Sequence, residues 1–267
     1  MADFSADMQP DALQHLAVPD CRYYASVTST NDLASDWAAD GAMDGSLVIA
    51  NTQTAGRGRL DRRWVTPPDS ALAFSLVLRP TPQECQKLAL FSPLGGLALC
   101  LALESCQLQP QIKWPNDVLL HDKKTAGILA ETIWQGDAPQ AVILGIGVNV
   151  SPKAVPPAEE VLFPATCVEE AAGRPVPRWE LLAAILEQLF AWRKQITSPV
   201  FLQAWETRLA FVGKRVQLMQ PNHQIVSGIV AGISPEGGLR LTLADSREQT
   251  FSAGDVHLRP FGENPVQ

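Results

Sequence analysis

The chain has 267 residues, 21 of them basic and 28 acidic, for a formal net charge of −7. That balance excludes a generally basic nucleic-acid binder, though not a local basic patch. An apolar fraction of 46% with 18 glycines and 21 prolines describes a folded chain, long enough for one large domain or a large and a small one.

Residues 1–20 read as a polar, weakly ordered leader, with Asp3, Asp7 and Asp11 where a signal peptide would carry basic residues and an apolar core. Asn31 to Ala39 has Leu33 and Trp37 at helical spacing behind Thr28-Ser29-Thr30, residue types that cap helices. Ser46 to Ala50 and Ala71 to Leu78 read as buried strands on either side of a Gly- and Arg-rich loop, Asn51 to Trp64. Gln83 to Cys106 is helical in pattern. Its uncharged run Leu88 to Leu103 contains Ser92, Pro93, Gly95 and Gly96 and falls short of the ~20 residues of a membrane span, so it reads as a core helix.

Gln111 to Lys113 reads as a short extended piece, and Asp117 to His121 with Thr125 to Trp134 as a hairpin turning at Asp122-Lys123-Lys124. Ala141 to Val150 is a further strand, Ser151 to Pro164 a Pro-rich loop, and Trp179 to Ile196 and Phe201 to Leu209 are helices. After Val212-Gly213 the texture becomes short alternating strands, Arg215 to Met219, Ile225 to Ile233, Leu239 to Leu243 and Gln249 to Ser252, as in a small β-barrel. Cys21, Cys85, Cys100, Cys106 and Cys167 form no C-x-x-C pair, which suits neither a disulfide framework nor a zinc site and points to a reducing, cytoplasmic setting. His15, His121, His223 and His257 show no metal-ligand spacing, and neither a Gly-x-Ser-x-Gly elbow nor a Walker loop is present.

Four stretches carry the candidate chemistry. Residues 57 to 63 hold four arginines and one aspartate, with Gly56 just before them and Gly58 among them. Glycines let backbone amides approach an anion and arginines supply forked donors, so this is an anion-binding loop or, alternatively, a solvated basic loop or nucleic-acid contact. Lys113-Trp114-Pro115-Asn116-Asp117 sets a cation and a carboxylate four residues apart. Asp117 there orients a cation, holds Mg²⁺ or accepts a proton, unless the motif is only a turn. Lys123-Lys124 precedes the apolar Thr125-Ala126-Gly127-Ile128-Leu129, and Gly145-Ile146-Gly147-Val148-Asn149 puts glycines inside a strand, where a ligand or backbone must pack closely.

Taken in order, Ser29-Thr30-Asn31, QTAGRGRLDRRW at Gln53 to Trp64, KWPND, KKTAGIL with Glu131, and GIGVNV resemble the biotin protein ligase family over roughly residues 22 to 260. The resemblance implies an α+β chain: a mixed-sheet biotin/lipoate ligase-like catalytic domain at 21–211, followed by a small SH3-like β-barrel at 212–261. It implies the joining of biotin to ATP, giving biotinyl-5′-adenylate and pyrophosphate. The biotinyl group then passes to one lysine of a biotin carboxyl carrier domain, of acetyl-CoA or another acyl-CoA carboxylase or of pyruvate carboxylase, with Mg²⁺ accompanying ATP.

In that family pattern Lys124, Arg57, Arg59, Lys113 and Asp117 form the catalytic set. Ser29, Thr30, Asn31 and Gln53, with Gly56, Gly58, Arg57, Arg59 and Lys124, bind biotin. Arg57, Arg59, Arg62, Trp64, Lys113, Asn116, Lys124 and Asn149 bind ATP and the adenylate. Motif alignment alone favours Lys124 over Lys123, and Ala165-Thr166-Cys167 carries Cys where the family has Ser. Only 28 residues precede Ser29, too few for the DNA-binding module of the repressor members, so neither DNA nor membrane is an expected partner. A homodimer remains compatible. The rival readings are a lipoate-protein ligase or octanoyltransferase, whose loop carries adjacent glycines rather than alternating Gly and Arg, and a non-catalytic nucleic-acid or protein adaptor.

Overall fold

The computed structural model describes residues 16–59, 62–161, 163–220, 224–252 and 257–260. Most of the expected leader, Leu60 and Asp61 of the Arg loop, His15, His223 and the turn at Pro221-Asn222 lie outside the described residues. Leu16, inside the expected leader, is buried in the core, and Asp20 O accepts from Leu47 N, so the ordered domain begins before residue 21.

Strands β1 (Cys21–Tyr24), β2 (Ser46–Ala50), β3 (Ala71–Leu78), β4 (Gln111–Lys113), β5 (Asp117–Leu120), β6 (Lys123–Gln135) and β7 (Ala138–Asn149) make one sheet in the order β1-β2-β3-β7-β6-β5-β4. Only the β1–β2 pair is parallel. β3 is buried along its whole length because both faces are covered. Its Leu72, Phe74, Leu76 and Leu78 join the main core with α2 (Phe91–Ser105) and α4 (Arg178–Arg193). On the other face Val77, with Val48, Ala141 and Ile143, receives Ala34, Trp37 and Ala38 of α1 (Thr30–Ala39).

The single helix expected over Gln83 to Cys106 is in fact a 3₁₀ segment, Glu84–Leu90, broken at Lys87 (φ −132°), followed by α2. Pro93 lacks an N–H and its ring crowds the carbonyl one turn back, which is tolerated only in a first turn, so α2 starts just before it. The run Glu84–Ser105 is long and apolar enough to cross a membrane by length and composition, but most of it is buried inside the domain.

The β5–β6 turn also differs from expectation. It is His121-Asp122, both at positive φ (50° and 58°), and Lys123 and Lys124 already lie in β6. Neither turn residue is a glycine, so the usual signal for a two-residue hairpin is missing from the sequence.

α3 (Val168–Ala172) and α5 (Pro199–Glu206) lead to a second, antiparallel sheet. It contains β8 (Arg215–Met219), β9 (Ile225–Ile233), β10 (Leu239–Thr242), β11 (Glu248–Phe251) and β12 (His257–Pro260) in the order β11-β10-β9-β8-β12. This is the expected small β-module, with β12 as an additional strand pairing with β8. Its Val216, Leu218, Val230, Leu239 and Leu241 are continuous with the main core. Polar contacts fasten the junction: Trp114 Nε1 donates to Gly237 O (2.9 Å) and Ile233 N donates to Glu206 Oε1 (2.9 Å).

Candidate functional site

Alternation along β7 turns Gly145, Gly147 and Asn149 to one face of the large sheet. Their partners Ser75 and Ala73 on β3, and Leu129 and Gly127 on β6, share that face, as does Glu131 further along β6. Glycines at 127, 145 and 147 leave a trough in the middle of the floor. Two of the chain's own side chains enter it. A Cβ at residue 145 would collide with the carboxamide of Asn31, and one at residue 147 with the indole of Trp64, which also lies 3.3 Å from the Cβ position of Gly127. Above the floor is a cleft of about 550 Å³, and every expected site residue except Gly56 lines it. Gly56 acts from behind: its amide carbonyl accepts from Trp64 N (2.8 Å), and a side chain there would strike Trp64 O.

One end of the cleft is a neutral hydrogen-bonding pocket at the start of α1. Ser29 is the N-cap residue, though its side chain makes no cap bond. Thr30 N donates to Gln53 Oε1 (2.8 Å), and Gln53 Nε2 donates to Thr66 Oγ1 (3.2 Å). Ser75 Oγ lies 2.7 Å from Thr30 Oγ1 and 2.6 Å from Asn31 Oδ1, and Asn31 Nδ2 donates to Glu131 Oε2 (2.6 Å). Ser75 was missed in the sequence because a lone serine in an apolar strand carries no motif, and Glu131 entered only as part of one.

The other end is ionic. Asp117 holds Lys113 Nζ at 2.9 Å and Lys124 Nζ at 2.6 Å, one on each carboxylate oxygen. A β-bulge makes this arrangement. β5 runs regularly from Asp117 to Leu119, but their partners on β6 are Gly127 and Lys124, so the extra residue, Thr125, turns Lys124 onto the same face as Gly127 and Asp117. Lys123 pairs with Leu120 and is exposed. Geometry therefore separates the two lysines that the sequence could separate only by alignment. Burial pushes the Asp117 carboxyl up, but the two ammonium groups outweigh it and hold the group well below the usual carboxylate range. Burial, with the like charges of Lys124 and Arg62, lowers Lys113 against the pull of Asp117.

Between these ends the Arg loop folds back as a ribbon: Gly58 N donates to Arg62 O (2.7 Å), and Arg57 bridges to Arg63. Arg59 Nη1 donates to Asn116 Oδ1 (3.4 Å), while Asn116 Nδ2 donates to Ile128 O (2.8 Å), so Asn116 is locked to the strand beside Gly127. The Arg57 guanidinium is held by Glu131 (2.9 and 3.0 Å) and Asp32 (2.7 Å). Asn149 Nδ2 donates to Thr166 O (3.2 Å), and Lys124 pairs by its backbone with Pro164 and Thr166, which brings the Pro-rich loop over the cleft. That loop, which carries no motif of its own, contributes Pro156, Glu160, Val161 and Phe163 to the lining. Among the described residues no cluster of three His, Cys, Asp or Glu side chains could hold a metal.

A neutral amide pocket, a glycine-floored trough and a cationic centre in line suit a ligand with a polar uncharged head and an anionic tail. Residues 23–149 match the family model of the biotin/lipoate A/B protein ligase family, and residues 211–259 match that of the biotin protein ligase C-terminal domain. The chain is 34% identical to the biotin–[acetyl-CoA-carboxylase] ligase of Mycobacterium tuberculosis, over 88% of each chain. It is 33% identical to the bifunctional ligase/repressor BirA of Bacillus spizizenii, over 92% of this chain and 74% of that one. Among solved structures it is similar to the biotin protein ligase of Aquifex aeolicus in complex with biotin and ATP, with a TM-score of 0.78 at 28% identity, covering 91% of this chain and 99% of that one.

Proposed function

The chain belongs to the biotin protein ligase family, and from that premise we infer how its own cleft performs the reaction. It is an ATP-dependent biotin ligase. The biotin carboxylate attacks the α-phosphorus of ATP, pyrophosphate leaves, and the biotinyl-5′-adenylate then gives its acyl group to a lysine amine, releasing AMP. The obstacle in the first step is the approach of a carboxylate to a polyanion, since each like-charge pair at ~4 Å costs about 4 kcal/mol at an effective dielectric of 20.

The observation that carries the assignment of roles is the Lys113–Asp117–Lys124 centre beneath the Arg loop, facing the amide pocket along one trough. Lys124 is the catalytic cation, set where the biotin carboxylate meets the α-phosphate, with Arg59 and Arg62 on the phosphates and Lys113 behind them. Thr30, Asn31, Ser29 and Gln53 take the ureido ring, whose N–H and C=O groups match an array of amides and hydroxyls. Gly56 and Gly58 give the loop its close approach. Trp64 and Asn149, adjacent on the floor, take the adenine, and Asn116 fixes Arg59. Asp117 is held ionised too firmly to be a good proton acceptor, so it serves as the counter-charge that keeps two ammonium groups pointed into the cleft. The Arg loop and the Pro-rich loop exclude water that would hydrolyse the adenylate.

Mg²⁺ would enter with ATP and supply charge neutralisation there, with Lys113, Lys124 and the loop arginines as the chain's own cations. Among the described residues the acidic side chains lining the cleft are Asp117 and Glu160, and with Asp117 taken by two lysines they do not make a cage for it. The acceptor is a carboxylase carrier domain, of acetyl-CoA carboxylase in the first instance and of pyruvate carboxylase as a second candidate. Five unpaired cysteines suit a reducing interior. The alternating Gly/Arg loop and the matched C-terminal domain favour biotin over lipoate.

The test is transfer. With biotin and ATP, an apo-carrier domain should gain one biotinyl group on one lysine, and none when that lysine is arginine or ATP is left out. Modification with lipoate and not biotin would refute the assignment.

A further inference from the structure

Family resemblance gives the loop arginines a common task, contact with carboxylate and phosphate. The structure sets Arg57 between two carboxylates. Its guanidinium makes a two-pronged contact with Glu131, Nη1 to Oε1 at 2.9 Å and Nη2 to Oε2 at 3.0 Å, and a third with Asp32 Oδ1 at 2.7 Å. Two carboxylates around one cation leave the group locally anionic, a poor place for a ligand's own anion. Position argues the same way. Glu131 lies four residues along β6 from Gly127, the partner of Asp117, which at about 3.3 Å per residue is roughly 13 Å from the ionic centre. Glu131 also accepts from Asn31 Nδ2 at 2.6 Å, so a single carboxylate joins the loop to the ring-binding pocket.

Resting on the ligase reading above, we propose that Glu131 and Asp32 are positioning residues that clamp Arg57 as a staple. Arg57 then acts on the adenylate through the placement of Gly58 and Arg59, not by touching it. Its backbone bridge to Arg63 makes it one side of the loop's ribbon, so fixing its side chain fixes the ribbon's register over the cleft. A ring that bonds Asn31 is thereby sensed by the loop that covers the other end of the ligand.

The sign of one substitution separates the two roles. If Arg57 binds the anion directly, Glu131→Gln removes a competitor, and the adenylate is held as well or better. If Arg57 is a staple, Glu131→Gln loosens the loop while keeping an acceptor for Asn31. Biotinyl-adenylate should then dissociate about three- to tenfold faster, the scale of one partly exposed charge pair with good geometry. Asp32→Asn, on the exposed side of the clamp, should give a smaller loss in the same direction and serves if Glu131→Gln folds poorly. Arg57→Ala combined with Glu131→Gln should release adenylate no faster than Arg57→Ala alone.

The same proteins, without any substrate, are digested with trypsin and the cuts after Arg57, Arg59, Arg62 and Arg63 are timed by mass spectrometry. The staple predicts a several-fold faster cut in both single variants. Unchanged digestion, slower or equal adenylate release from Glu131→Gln, or additive losses in the double variant would each overturn the proposal. If wild type makes no adenylate from biotin, the ligase reading fails and the digestion arm still decides the staple.

Discussion

Replacing Asp117 by Asn removes the one negative charge between two ammonium groups and leaves the rest of the cleft in place. The Lys113 and Asp117 side chains are only 9% and 11% exposed, whereas Lys124 is 27% exposed and can turn toward water. Lys113 is therefore the charge left behind. Breaking a buried pair by removing one partner costs about 3–5 kcal/mol; Asn keeps an acceptor, so about 3 kcal/mol is expected, a fall of roughly 6–12 °C in Tm for a domain of this size. Because the Asp117 carboxyl is held below its unfolded value, its contribution is full above the unfolded carboxyl pKa of ~3.9, begins to fall below it, and is gone only once pH has passed the lowered folded value. Urea unfolding of both proteins should thus show the full gap at pH 7 and a gap that starts to narrow below about pH 4 and goes on narrowing as pH falls further. The double variant Lys113→Met, Asp117→Leu should regain most of the stability, since an apolar pair can replace a buried ion pair, and still form no adenylate. An Asp117→Asn protein within about 1 kcal/mol of wild type at pH 7 would refute this reasoning, because that is the range of an exposed pair.

Lys124→Gln should abolish adenylate formation while Lys123→Gln leaves most of it, measured by trapping radiolabelled adenylate; a dead Lys123→Gln would mean the bulge at Thr125 is misread. Gly147→Ala puts a methyl into the Trp64 indole and should cost about 1–3 kcal/mol while raising KM for ATP more than for biotin. A variant with wild-type Tm and wild-type KM would show that the indole moves freely. Trp114→Phe removes the bond to Gly237 O that ties KWPND to the C-terminal sheet, and should lower stability by about 1 kcal/mol in calorimetry. No change in Tm would mean that the apolar core alone holds the junction.

The parts legible in the sequence were those with strong local signals. Ser46–Ala50 and Ala71–Leu78 are uninterrupted apolar runs, and the observed strands have those bounds. The motifs converge on one cleft because each is carried on, or next to, a strand of the same sheet. What stayed hidden depends on pairing across the sheet. The bulge that turns Lys124 inward exists only relative to β5, and the role of Ser75 only relative to α1. β1, the short mixed CRYY, acquires its identity from β2, and β12 from β8. The strand glycines gave the right inference, close approach, without saying that Asn31 and Trp64 are the groups that approach.

The central claim is that this cleft activates biotin with ATP, and pyrophosphate exchange into ATP reads that step without a carrier. With Mg²⁺ and purified protein, exchange should require biotin and should not appear with lipoate, with octanoate or with no acid. Exchange supported by lipoate, or none with any of the acids, would contradict it.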